Sequence, residues 1–212
     1  MGPSLRKEKK LLAVDGEVAQ KIIQIANRKG MTVYSFTNEI LKQAIVAENM
    51  NKSLEEIVER FRLLEISRNG GTLIVPADAL LCMIERVYQQ EKDILLKRWY
   101  ESGRWYGKYL QVKFYGEEPL DIMEKLLDAC SSKSSEIRIL RDGDKLFVNW
   151  LSPNDSLEYT ELFSKFLEGL IHAFGYETKK NDVSKGLIAM EFEKSCAEKI
   201  AQKSSERKDK FS

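Results

Sequence analysis

Histidine is nearly missing from this chain: His172 is the only one in 212 residues, beside four prolines and three cysteines. A lone histidine argues against a Ser-His-Asp triad, a HExxH zinc site and a two-histidine iron site. Cys82, Cys130 and Cys196 lie far apart and form no CxxC pair, which argues against a disulfide framework or a closed zinc site. Neither GxGxxG nor GxxxxGK[ST] occurs, so the usual nucleotide-binding enzymes find no support. No convergent set of acid, base and metal ligands is visible. We therefore expect no enzymatic activity, no metal and no cofactor. Long apolar runs are also lacking. None approaches bilayer length, and the basic start has no apolar signal core beside it, so a cytoplasmic protein without a membrane partner is expected.

What is present is an apolar content of 43%, enough for a packed core, and a charged content of 32% that almost cancels to a net +1. The distribution of charge is uneven. Residues 1–46 hold eight Lys/Arg against four acids, and residues 194–212 hold six against three, which leaves the middle acidic. A basic front end suits a phosphate backbone, although a solvated charged surface would look the same.

The first fifty residues are the most informative. Arg6-Lys-Glu-Lys-Lys10 leads into a short apolar segment, Leu11-Leu-Ala-Val14, read as a strand. Asp15 is an N-cap, Glu17 sits in the first turn, and Val18, Ile22, Ile25 and Ala26 form one helical stripe ended by Gly30. Thr32 caps a second helix whose stripe is Phe36, Ile40 and Ala44, flanked by Val33 and Leu41. One strand and two short helices cannot bury these faces alone, so a second copy is expected. A pair of such strands makes a ribbon that fits the major groove of DNA.

Lys9 to Ala47 resembles a ribbon-helix-helix domain, the family of the Arc, MetJ and CopG repressors. The resemblance rests on the spacing from Val18 to Gly30, the Gly-Met-Thr start of the second helix, and Asn38-Glu-Ile-Leu41. It implies a homodimer bound to double-stranded DNA. Lys9, Leu11 and Ala13 would face the groove. Thr32, Val33 and Tyr34, with Ser35 nearby, would clamp a phosphate, and Arg6, Lys7, Lys9 and Lys10 would meet the backbone. Leu11 and Ala13 depart from the family's pattern. They can touch a thymine methyl but cannot make the bidentate hydrogen bonds that discriminate bases by ~1–3 kcal/mol each. A strand apolar on both faces is equally consistent with a ribbon covered by protein. The alternative is thus a structural or interaction protein whose modules serve assembly.

Asn51 to Ser67 reads as a connector helix with a Ser53/Glu56 capping box, broken at Arg68-Asn-Gly-Gly71. Thr72 to Val75 reads as a short strand. Helices are expected over 77–90, over 93–112 and after Pro119. A hairpin with an Asp142-Gly143 turn follows, then a helix over 157–174 and closing strands over 176–179 and 187–193. The expected organisation is a module over 1–50, a connector over 51–70, an α+β domain over 71–194 with helices on a small antiparallel sheet, and a polar tail over 195–212.

Residues 70–194 resemble a 4-vinyl-reductase-type domain, a small-molecule-binding module. The features are Gly71-Thr-Leu-Ile-Val-Pro76, the Gly103/Gly107 helix, the hairpin, and Phe166 to Tyr176 before the last two strands. The resemblance implies an apolar ligand site bordered by Trp99, Tyr106, Leu110, Phe166, Leu170 and His172. Aromatic stripes at helical spacing also suit plain core, and His172 suits a hydrogen-bonded structural role. Family members often carry metal-binding cysteines near the end, but residues 181–190 hold none.

Overall fold

A computed structural model describes residues 10–130 and 134–195. Its elements are α1 (Gly16–Arg28), α2 (Val33–Asn49), α3 (Leu54–Asn69), α4 (Ala77–Lys113), α5 (Pro119–Cys130), β1 (Glu136–Asp142), β2 (Lys145–Leu151), α6 (Leu157–Ala173), β3 (Tyr176–Ser184) and β4 (Leu187–Lys194). The class is α+β. The chain divides between Glu59 and Arg60 into two compact units, so α3 belongs to both.

The first unit contains α1, α2 and the start of α3. Asp15 caps α1 by accepting the Glu17 amide at 3.2 Å, and Thr32 Oγ1 caps α2 by accepting the Ser35 amide at 3.1 Å. Gly30, at φ +66°, closes α1 in a Schellman turn, with the Met31 amide donating to Ala26 O at 2.9 Å. Asn51, at φ +56°, closes α2 in the same way. Ser53 and Glu56 exchange both bonds of the capping box, at 2.8 and 3.1 Å. The Ser53 amide, with Lys52 adding its charge, holds the Glu56 carboxyl below its ordinary range.

In the second unit the sheet order is β1-β2-β4-β3, antiparallel throughout. Its inner face presents Leu146, Val148 and Trp150 from β2, and Ile188, Met190 and Phe192 from β4. Alternation along each strand puts these side chains on one side. Phe163, Leu167, Leu170 and Ile171 of α6 complete the core, with α5 contributing Leu120, Met123 and Leu126. The last turns of α3 add Leu63 and Ile66 to it.

Helices α4 and α6 meet backbone to backbone. A Cβ on Gly103 would collide with the Phe166 carbonyl, and one on Gly169 with the Tyr100 carbonyl. A Cβ on Gly107 would lie 2.7 Å from Leu170 O. Small residues at these three positions let the helix axes approach closely.

Several expectations need correction. Residues 11–14 form no strand. Their expected ladder partner belongs to a second copy, so within one chain they are unpaired. Thr72 to Val75 form no strand either. Thr72 is engaged at the end of α3, its amide donating to Ser67 O at 3.1 Å and its hydroxyl accepting from Ser67 Oγ at 2.9 Å. The two helices expected over 77–90 and 93–112, by contrast, are both present as the two segments of α4, which meet at a kink at Glu91, where the backbone is not helical (φ −125°, ψ 25°). The hairpin loop is Gly143-Asp144, one residue later than expected, because Asp142 pairs with Lys145. Strand β3 continues past Lys179 to Ser184 through a bulge between Thr178 and Lys180.

Candidate nucleic-acid interface

The candidate phosphate clamp is the start of α2. Thr32 occupies the cap, and the first turn, Val33 to Ser35, contains no acid to neutralise the positive end of the helix. Val33 and Tyr34 are exposed there. Lys10, Lys21, Arg28, Lys29 and Lys42 are all exposed in the same unit. Lys29 Nζ lies 5.2 Å from the centre of the Phe36 ring, a cation–π contact that ties the end of α1 to α2. Arg6, Lys7 and Lys9 lie outside the described residues. Leu11 is fully exposed, at 102% of its reference area, and Ala13 is exposed as well.

Burial in this unit is sparse. Among its described apolar residues only Ala26, Phe36 and Ala47 are buried, while Leu12, Val14, Val18, Val33, Leu41 and Ile45 are exposed. Two alanines and a phenylalanine make a very small core. By area bookkeeping, each fully buried Leu- or Val-sized side chain adds ~1.5–3 kcal/mol, and this unit has few. Helices α1 and α2 are capped at both ends, and among the described residues of this unit Ile22, Ile25, Ile40 and Ala44 are only half-buried.

The six residues of the candidate ligand site sit where α4, α6 and the sheet meet. Leu110 and Leu170 are 1% exposed, and Tyr106 joins them in the core. Trp99 packs edge-on against Tyr159 with ring centres 5.7 Å apart, and Phe166 stacks near Phe163 at 6.1 Å. Two surface concavities, of about 340 and 320 Å³, are lined by Ile94, Lys97, Arg98 and Glu101, and by Asp121, Glu124, Lys125 and Asp128. Neither includes any of the six.

His172 anchors a polar chain linking α4, α6 and β3. Tyr100 Oη lies 2.9 Å from His172 Nδ1, His172 Nε2 lies 2.8 Å from Thr178 Oγ1, and Thr178 Oγ1 donates to Glu168 Oε1 at 2.8 Å. Lys165 Nζ completes it with a 2.6 Å contact to Glu168 Oε2. Since the Thr178 proton goes to the carboxylate, its oxygen accepts from His172. The histidine therefore carries its proton on Nε2 and accepts from the Tyr100 hydroxyl at Nδ1. Burial pulls the His172 pKa down, the neighbouring Glu168 charge opposes this, and Arg104 adds to it. A second polar cluster joins Tyr88, Glu161 and Lys92, with Lys92 Nζ 2.6 Å from the carboxylate and 5.2 Å from the tyrosine ring centre.

Sequence reasoning named His172 but missed its partners. Lys165, Glu168 and His172 fall at i, i+3 and i+7 of one helix face, a signal that was readable. Tyr100 and Thr178 become neighbours only through the tertiary fold. Among the described residues no group of His, Cys, Asp and Glu is placed to hold a metal ion, and no helix is long and apolar enough to cross a membrane.

No family model matches the chain, and no curated protein matches it. A solved structure concerned with haem distortion in the H-NOX family aligns over 57% of this chain and 71% of its own, at 13% identity and a TM-score of 0.37. A likeness at that level carries no argument about fold or function.

Proposed function

We propose that the protein is a homodimeric DNA-binding transcription regulator of the ribbon-helix-helix kind. The observation that supports this most is the first unit's small core: well-capped helices whose stripes are only half-buried at Ile22, Ile25, Ile40 and Ala44, with Val18, Val33, Leu41 and Ile45 exposed beside them. A second copy supplying the same stripes would cover them and pair the two Leu11–Val14 segments. Lys10, the basic residues before it, and the α2 N-terminus at Thr32, Val33, Tyr34 and Ser35 then face phosphates. Base reading by Leu11 and Ala13 is weak on this reading. The second unit, with Trp99, Tyr106, Leu110, Phe166, Leu170 and His172, senses a small apolar ligand or stabilises the dimer. The close backbone contacts of Gly103 with Phe166 and of Gly169 with Tyr100 favour the stabilising role, because a ligand entering there must part α4 from α6.

The test is DNA affinity against salt. A binder of this kind loses affinity steeply as salt rises, with a log–log slope of roughly −0.9 per phosphate neutralised. Weak binding that is insensitive to salt would sink the proposal. The exposure of Leu11, Leu12 and Val14 together favours a second reading, in which a protein partner covers the ribbon and the modules serve assembly. Fast hydrogen exchange at the amides of residues 11–14 in the purified protein would count against that reading.

A further inference from the structure

Beyond the kink at Glu91, residues 94–112 of α4 form a helical segment with two unlike faces. One holds Gly103, Tyr106, Gly107 and Leu110, all buried. The other carries Lys97, Arg98, Arg104 and Lys108 against a single acid, Glu101, and all five are exposed. At 3.6 residues per turn these five fall, with Trp105, inside an arc of ~120° and along roughly 16 Å of helix. Among the described residues none of the four cations forms an ion pair. Arg104 and Lys108 stand four positions apart, where like charges repel along a helix. A bound polyanion relieves that repulsion.

Trp105 lies in the middle of this face with more than half of its surface exposed. The Tyr109 ring stacks behind it, with planes 4° apart and centres 5.6 Å apart. Tyr109 is itself held in place. Its hydroxyl donates to Ile66 O at 3.1 Å, and its ring fills the space over Gly70, where a Cβ would lie 2.9 Å from it. The indole is thus a flat platform backed by a fixed ring and open to solvent. Toward the N-terminal end of the same face, Ile94, Lys97, Arg98 and Glu101 line a concavity of about 340 Å³.

We infer that this face of α4 binds single-stranded nucleic acid, with Trp105 stacked on a base and Lys97, Arg98, Arg104 and Lys108 neutralising the flanking phosphates. An aromatic platform set among cations that track the backbone holds a single strand without regard to sequence. A duplex keeps its bases stacked on one another and offers Trp105 none. A lipid surface asks for a continuous apolar strip, whereas Ile94 and Val112 stand roughly 16 and 10 Å along the helix from Trp105, with charges between. Stacking and charge do not read the sugar, so DNA and RNA strands are bound alike. The site lies wholly within the second unit and does not rest on DNA binding by the first.

Fluorescence anisotropy with labelled strands of roughly 15 nucleotides tests it. The protein is the full chain carrying Lys9→Ala and Lys10→Ala, which removes backbone contacts proposed for the first unit. Oligo-dT and oligo-rU each bind at least about tenfold tighter, equivalent to ~1.4 kcal/mol, than an abasic deoxyribose-phosphate strand with the same charge and no bases. Trp105→Ala brings oligo-dT down to the abasic level and leaves abasic binding unchanged. Trp105→Phe, which keeps a stacking ring, retains part of the preference for bases. Arg104→Ala combined with Lys108→Ala weakens all three strands and flattens the salt dependence by about 0.7 for each phosphate no longer neutralised. Equal affinity for abasic and dT strands, or a preference for bases that survives Trp105→Ala, would overturn the assignment. So would displacement of oligo-dT by polyglutamate or by phosphatidylserine vesicles at equal charge, since the face would then answer to charge alone.

Discussion

Gly169 on α6 and Tyr100 on α4 touch through their backbones, with no room between them for a single additional carbon. The contact is reciprocated by Gly103 against Phe166, so two helices interlock at two points. Gly169→Ala must therefore push the helices apart, which loosens Tyr106, Leu110 and Leu170 together. Overpacking of a tight core costs typically 1–3 kcal/mol, and a backbone neighbour cannot swing aside as a side chain does. We expect a loss of about 3 kcal/mol, read as a lower urea midpoint with an unchanged slope. Gly116→Ala makes a poor control because that glycine has φ +89°. Gly16→Ala is suitable, since nothing lies within 4 Å of its missing Cβ.

The polar chain through His172 makes stability depend on pH. The histidine's folded pKa lies below its ordinary 6.5, chiefly through burial. A histidine of this kind binds fewer protons folded than unfolded. Its contribution is complete above pH ~6.5 and is lost as pH falls from there toward the lower folded value. Protonation also converts Nδ1 from acceptor to donor, which disturbs the bond from Tyr100. We expect the urea midpoint to fall as pH drops below ~6.5, and this slope to shrink in His172→Gln. An equal slope in that variant would assign the effect to the carboxylates instead.

Alkaline titration gives an independent check on the core. Burial pushes the Tyr159 hydroxyl up to about 12, with the charge on Asp155 adding to it. Burial also pushes Tyr88 up to about 12, with its bond to Glu161 contributing. Tyrosinate absorbance should therefore rise in two stages. The Tyr159→Phe and Tyr88→Phe variants should each remove amplitude from the late stage while leaving the early one intact. Removal of early amplitude would show these hydroxyls to be open to water.

The elements with local causes were legible in the sequence. Asp15, Thr32 and the Ser53/Glu56 box marked helix starts, and Gly30 and Gly143 marked turns, because caps and turns are decided by residues within four positions of each other. Thr72-Leu-Ile-Val75 was misread because its composition suits a strand, whereas strand formation depends on a neighbour that composition does not reveal. Leu73 and Ile74 are more than 80% exposed, so no sheet edge receives them. Pattern breaks at Gln90 to Asp93 suggested two helices. The structure has the break there, at the non-helical backbone of Glu91, where the two segments of α4 meet at a kink. The site residues divide in the same way. The start of α2 was readable from Gly-Met-Thr, while the links from His172 to Tyr100 and Thr178 span 72 and 6 positions and needed the fold.

The DNA-binding proposal makes its sharpest prediction at two kinds of phosphate contact. Lys9 and Lys10 would meet the backbone by charge alone. Replacing both with alanine should weaken binding to every sequence alike and flatten the salt dependence by about 0.9 for each phosphate no longer neutralised. Thr32 acts differently. Its hydroxyl accepts the Ser35 amide and so orients the first turn of α2. Thr32→Ala should cost about 1 kcal/mol of stability by loss of the cap. It should also weaken DNA binding while leaving most of the salt slope intact, because no cation is removed. Fluorescence anisotropy with one duplex and a scrambled duplex, each titrated across salt, separates the two effects. If Lys9→Ala/Lys10→Ala leaves both affinity and slope unchanged, the basic segment is not at a phosphate backbone, and the ribbon is covered by protein instead.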